Sequence, residues 1–420
     1  MSKSIQRPGR IARIDRRIFL AGAGAFAATG TALTAWPRTV FGAGAPVTTG
    51  VPAGTADEAV LDTLPGKKPL IRLSERPQNY ETPISYFDNP ITPNDAFFVR
   101  YHLAVVPQVT AANWRLKVGG EVERPIEYDL AGLRSGFEQV ELTAVCQCSG
   151  NRRGLSEPHV QGVQWGFGAM GNARWRGVRL KDVLAKAGVK AGSVEVSFDG
   201  ADTAVIEKTP DFIKSLPLGK AIDENTLVAF EMNGEPLPSW NGFPARLVVP
   251  GWTGTYWIKH LTSIDVLAKP STNFWMASAY RVPLGKFPMV DRFISQETAV
   301  NTPITEMVVN SIMTNASNGQ RIAAGQPFTV RGIAWDGGYG IRLIEVSTDG
   351  GATWRNGTLG QDLGKFSFRP WTFTFTPAAG PTVVMAKATN AIGASQTFEL
   401  NYNAPGYHNN VVHKVSMVAA

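Results

Sequence analysis

Two cysteines are all that this 420-residue chain contains, and both fall in one stretch, "TAVCQCSGNRRG", residues 143–154. So small a supply excludes a disulfide framework and a Cys-rich zinc site. A bridge between Cys146 and Cys148 would strain the Cα and Cβ separations that a disulfide needs. There are only five histidines and no C-x-x-C-H, so the sequence offers no attachment site for a c-type haem. The run "VELTAVC" reads as a strand, and if it continues, period two puts both thiols on one face. Two inert core thiols, a reactive thiol and a metal ligand all remain open.

A basic surface is missing as well. The formal charge is +7, but residues 1–43 carry Lys3, Arg7, Arg10, Arg13, Arg16, Arg17 and Arg38 against Asp15 alone, which leaves the remainder near neutral. A nucleic-acid patch is therefore unsupported. The glycine-rich "GNRRG" and "GAMGNARWRG" lack phosphate-loop spacing, and no G-x-G-x-x-G opens a helix after a strand.

What is present begins with that basic leader. "RIARIDRRIFLAGAGAFAATGTALTA" is a charged segment followed by a weakly apolar one, and "VFGAGA" supplies small residues for cleavage. Arg16-Arg17 followed by "IFL" resembles a twin-arginine export signal, with Asp15 and Ala21 departing from the usual pattern. Residues 1–45 are read as that signal, which implies a periplasmic protein with the signal cleaved. The stretch is poorly hydrophobic for a membrane span.

Residues 46–300 read as a catalytic domain of α+β class, opening on an extended lead-in to about residue 90. "VEVSFDG" and "RLVVPG" are strands, and "RLKDVLAKAG" (179–188) is a helix with Leu180, Val183, Leu184 and Ala187 on one face and Gly188 as its stop. Residues 301–405 have short strands between turn residues, as an immunoglobulin-like β-sandwich would. In "WTFTFT", Trp371, Phe373 and Phe375 alternate with threonines. Residues 406–420 read as a tail.

The residues that carry chemistry follow a recognisable order. "FFVRYHL" (97–103), "CSGNRR" (148–153), "AFEMNGEPLP", "GFPARLVVPGWTGTYWIKHL", "FWMASAYRVP" and "WDGGYGIRLIEVSTDGGATW" resemble, in sequence, the motifs of the sulfite oxidase family of molybdenum enzymes. The likeness runs from about residue 65 to 405 and looks most like bacterial molybdenum subunits that pass electrons to cytochrome c. The resemblance implies a molybdopterin-bound molybdenum whose protein ligand is Cys148. It implies Arg100, Arg153 and Tyr280 as catalytic residues, and His102, Asp202, Arg246, Trp257, Ile258 and Lys259 as cofactor contacts. Asn241 stands where many relatives have histidine, and Cys146 matches no ligand and reads as a small buried hydrophobe.

The chemistry agrees. Planar guanidinium groups bind small oxyanions through paired hydrogen bonds. A phenol such as that of Tyr280 donates without adding charge. The implied partners are sulfite, a c-type cytochrome or a small haem subunit, and a second copy through the C-terminal domain. The implied alternatives are a sulfane dehydrogenase and a reductase on the same architecture. Taken singly, Arg152 and Arg153 also read as surface charges, Tyr280 as core, and His159, His260, His408 and His413 as structural.

Overall fold

The computed structural model describes residues 46–47, 59–284 and 300–420. The leader therefore lies outside the described residues, and so does its reading as an export signal. Among the described residues no helix is long and apolar enough to cross a membrane.

Among the described residues three larger sheets build the first half, and a two-stranded one, Arg281–Pro283 with Asn301–Pro303, follows them. The stretch read as a lead-in instead pairs into a sheet of Pro46–Val47, Ala59–Asp62, Leu70–Glu75, Gln78–Glu81 and Val99–Arg100. A second sheet runs Lys214–Pro217, Glu195–Gly200, Leu261–Leu267, Leu116–Gly120, Ile126–Tyr128, with its Leu261–Leu267 and Leu116–Gly120 strands parallel. The third orders Glu235–Pro236, Leu227–Met232, Met170–Arg179 and Gln139–Gln147, and Arg246–Val248 also pairs with Leu227–Met232. Its long pair keeps one register from Gln139↔Val178 to Gln147↔Met170, which carries the chain straight to Cys148.

Helices are few and short, and the regular structure among the described residues is mostly strand. The predicted helix forms at Leu180–Ala187 with Leu180, Val183, Leu184 and Ala187 all buried. Gly188 ends it at φ 76, a left-handed conformation that glycine adopts without a Cβ penalty. Burying each of those larger side chains contributes about 1.5–3 kcal/mol.

The second half is a two-sheet sandwich. One sheet orders Asn310–Met313, Phe328–Trp335, Arg369–Phe375, Thr358–Leu359; the other orders Arg321–Ile322, His413–Ala419, Gly380–Asn390, Ile341–Ser347, Arg355–Asn356. Val330, Phe373, Ile344, Val384 and Val415 meet in its core. Trp371, Phe373 and Phe375 are inward and the threonines between them outward, as the alternation predicts. The reading of residues 406–420 as a tail is corrected. His413–Ala419 pairs along Gly380–Asn390, because alternate residues from His413 onward face the core.

The two halves share a hydrophobic cluster. Phe87, Val145, Phe167 and Met170 pack with Met307, Ile312, Ile333, Trp335 and Phe368. Val145 N donates to Phe366 O at 2.9 Å, and Trp335 Nε1 donates to Gln147 Oε1 at 2.5 Å. The strand leading to Cys148 is thus bonded to the sandwich.

Candidate active site

Cys148 leaves the end of its strand with its N–H donating to Ala169 O at 2.8 Å. The turn that follows is tight: Arg152 has φ 68, and Arg153 starts a single turn of 3-10 helix. This geometry separates the neighbouring arginines. Arg152 is buried, donating to Asn310 Oδ1 and Val411 O, both at 2.7 Å, with Phe167 beneath its guanidinium. It is a strut between the halves, not the surface charge that its motif alone permits.

Arg153 turns the other way. Nε donates to Pro405 O at 2.7 Å and Nη1 to Val163 O at 3.2 Å. Glycines line its path, and a Cβ on Gly150 or Gly162 would lie 2.5 or 2.9 Å from guanidinium nitrogens.

Two cavities meet at Cys148. An inner slot is lined by Arg100, His102, Cys148, Asp202, Arg246, Trp257, Ile258, Lys259 and Tyr280, among others. A more open mouth is lined by Arg153, Trp275, Tyr407 and neighbours. Arg100, Cys148 and Tyr280 line both. Nine of the ten residues singled out in the sequence thus converge on the slot, and the tenth, Arg153, lines the mouth.

The slot is cationic. Arg246 is buried between the rings of Trp175 and Trp257 at 5.1 and 5.7 Å, and it donates to Asn241 O and Trp257 O. Lys259 Nζ lies 3.0 Å from the Tyr101 ring centroid and donates to Arg100 O at 2.6 Å. Burial raises the Asp202 carboxyl and lowers Lys259, and the attraction between the two opposes both shifts. His102 stacks on Phe212 at 3.5 Å and bonds through Nε2 to the Tyr280 hydroxyl. Burial first, then the charges of Arg100, Lys259 and Lys214, keep that imidazole neutral. Tyr280 itself sits at φ 56, uncommon for a side chain of this size.

The sequence missed several neighbours. Lys214 is fully buried, donates to Trp275 O at 2.6 Å, and lies over Tyr256 and Tyr280. Nothing in "FIKSLP" marks it, because a lysine opening a strand reads as solvated. Lys67 Nζ bonds Asn241 Oδ1 at 2.5 Å, while Asn241 Nδ2 bonds Phe98 O at 3.1 Å. Asn241 is therefore held by a lysine far away in sequence. Cys146 is buried and its thiol pushed up to about 11 by burial, as an inert core thiol would be.

The slot suits a large polar group. Ser149 Oγ, Thr255 Oγ1 and Arg246 Nε are buried along it without a hydrogen-bond partner, an arrangement that costs free energy unless a ligand supplies one. Among the described residues no three His, Cys, Asp or Glu side chains converge. A metal on Cys148 would therefore need donors from outside the chain, which a dithiolene cofactor carries.

Residues 102–275 match the family model of the oxidoreductase molybdopterin binding domain, and residues 301–419 that of the Mo-co oxidoreductase dimerisation domain. The fold and the slot thus define a molybdopterin-dependent oxidoreductase. Sulfite oxidase of Gallus gallus is 35% identical over 343 residues, covering 78% of this chain and 73% of that protein. The mitochondrial sulfite oxidase of Macaca fascicularis is 37% identical over 69% of this chain, which spans only 54% of that relative's length. The solved sulfane dehydrogenase SoxCD from Paracoccus pantotrophus superposes with a TM-score of 0.70 at 28% identity, covering 81% of this chain and 84% of that one. The chain belongs to the sulfite oxidase family of molybdenum enzymes.

Proposed function

We propose that this protein oxidises sulfite to sulfate by oxygen-atom transfer. Water supplies the oxygen, and two protons and two electrons leave. The observation that carries this reading is the junction at Cys148, where one thiol, Arg100 and Tyr280 are common to a polar slot and an open mouth. The bound cofactor supplies a two-electron acceptor and the oxygen-transfer chemistry. Cys148 would hold its metal, and Asp202, Arg246, Lys259, His102 and the wall of Trp257 and Ile258 would hold its pterin. Arg100 and Arg153 bind sulfite oxygens through charge-assisted hydrogen bonds and orient the sulfur. Neutral His102 accepts from the Tyr280 hydroxyl or donates to it, which fixes the phenol at the junction.

The electrons leave to a c-type cytochrome, free or as a small haem subunit, and the twin-arginine leader supports export to the periplasm. The sandwich reads as immunoglobulin type, because its sheets follow the A-B-E-D and G-F-C orders, and it supports self-association. A second reading, oxidation of sulfane sulfur, is favoured by the SoxCD superposition.

Metal analysis and turnover decide. Molybdenum bound to the purified chain, with sulfite-dependent reduction of cytochrome c, is the expected result. Absence of molybdenum from cells that make the cofactor would sink the enzyme reading. Turnover on a sulfane-sulfur conjugate without turnover on sulfite would establish the second reading. Fast hydrogen peroxide production with slow haem reduction would make oxygen the acceptor.

A further inference from the structure

The mouth is completed by a loop from the far end of the chain, residues 403–409. Buried Asn403 folds this loop onto itself: its Oδ1 accepts from Tyr407 N at 2.9 Å and its Nδ2 donates to Tyr407 O at 2.8 Å. Gly406 sits at φ 62, where a Cβ would lie 2.5 Å from Val160 Cγ2 and 2.9 Å from Arg153 Cγ, so no larger residue fits. The folded loop presents Pro405 O to Arg153 Nε at 2.7 Å. It also lays the Tyr407 ring parallel to Tyr280, at 5.5 Å and 5°, with the Arg153 guanidinium 5.3 Å from its centroid.

Tyr407 is 5% exposed, lines the mouth with Arg100, Cys148 and Arg153, and its hydroxyl has no hydrogen-bond partner among the described residues. The ring is buried, but the hydroxyl is not sealed off and opens on the mouth, so an oxygen of a ligand held there can accept from it. Burial and the adjacent Tyr280 keep its proton in place, so it is a donor. A neutral donor beside two cations suits an oxyanion better than a third charge would, since it adds direction without further repulsion among the arginines.

We propose that Tyr407 is a substrate-binding residue contributed by the sandwich half. Its hydroxyl donates to an oxygen of the anion that Arg100 and Arg153 hold, and its ring positions Tyr280. The identity of the anion as sulfite rests on the function proposed above; the binding of a sulfur oxyanion at Tyr407 does not.

The test uses the molybdenum-loaded protein and two variants. Calorimetric titration with sulfate reads binding without turnover, and steady-state kinetics with sulfite reads KM. Tyr407→Phe is expected to weaken sulfate and raise KM by about tenfold, the usual effect of one lost hydrogen bond to a charged group, with molybdenum content kept. Tyr407→Leu should in addition lower kcat, because Tyr280 loses its stacked neighbour. Unchanged sulfate affinity and KM in Tyr407→Phe would overturn the assignment, even if Tyr407→Leu is impaired. A wild type that binds sulfate more tightly than Tyr407→Phe but turns over no sulfite would sink the sulfite reading and leave Tyr407 where we place it.

Discussion

Cys146 and Cys148 differ in what surrounds them. Cys146 is buried and faces Arg246, with its Sγ 3.9 Å from Nη2, and it lines the inner slot but not the mouth. Cys148 borders both the slot and the mouth. Cys148→Ser is expected to abolish turnover, because a serine oxygen poorly replaces a soft thiolate, while Cys146→Ser should keep most of it. Sulfite turnover normalised to molybdenum content checks this, and equal losses would refute it. Arg153 is the other residue-scale case. Arg153→Gln removes a charge from the mouth, so KM for sulfite should rise by roughly ten- to a hundredfold, more than kcat falls. An unchanged KM would mean that its bonds to Pro405 O and Val163 O are its whole role. Both positions were legible from the motif, but the opposite directions taken by Arg152 and Arg153 were not. A φ of 68 at Arg152 turns one guanidinium into the interface and leaves the next beside the mouth.

At the scale of elements, the turn after Cys148 is held from two sides: Arg152 N donates to Gly166 O at 2.8 Å and Gly154 N to Trp165 O at 2.9 Å, and the sandwich holds the Arg152 guanidinium and carbonyl. Asn310 Oδ1 accepts from Arg152, and Asn409 Nδ2 donates to Arg152 O at 3.1 Å. Among the described residues Arg152 makes no ion pair, so these neutral acceptors are what its buried charge has. Asn310→Ala should therefore cost on the order of 1–3 kcal/mol, as expected for a buried donor left unpaired. It should also raise KM, since Arg153 follows Arg152 directly. Thermal melts and sulfite kinetics on the same preparation read both effects. A stability loss with KM intact would show that the turn keeps its shape without the strut.

Across the whole molecule, three buried histidines weaken the fold in acid, and the buried carboxyls of Glu81 and Asp199, both pushed up to about 7 by burial, partly offset them. His260 bonds Tyr101 OH and Phe243 O, and burial with the Lys259 charge holds it down to about 3. His413, whose Nδ1 accepts from Met313 N, is also held to about 3, and His408 to about 4. An unfolded chain would protonate all three near pH 6.5. The stability they contribute is thus present above about pH 6.5 and is lost as pH falls toward their native values, on the order of 1 kcal/mol per pH unit for each. Melting temperatures from pH 7.5 to 5 should fall, and His413→Asn should flatten the slope. The same slope in the variant would show that His413 titrates freely in the native state.

The sequence by itself determined the local and the ordered: the helix Leu180–Ala187 from its apolar spacing, the inward face of Trp371, Phe373 and Phe375, and the family from six motifs in one order. Those readings need only near neighbours along the chain. The folded structure alone decided what depends on distant partners. It showed that the strands Pro46–Val47, Ala59–Asp62, Leu70–Glu75, Gln78–Glu81 and Val99–Arg100 pair into a sheet, that Lys67 reaches Asn241, that Lys214 lies over Tyr280, and that the supposed tail returns as a core strand. Tyr407 belongs with these. It is 127 residues from Tyr280 in the chain and stacks on it only because Asn403 and Gly406 bend the loop between the two halves. Spacing along a chain reports which residues can share a face of one element, but only packing places groups from separate elements within the few ångströms at which hydrogen bonds and ring contacts act.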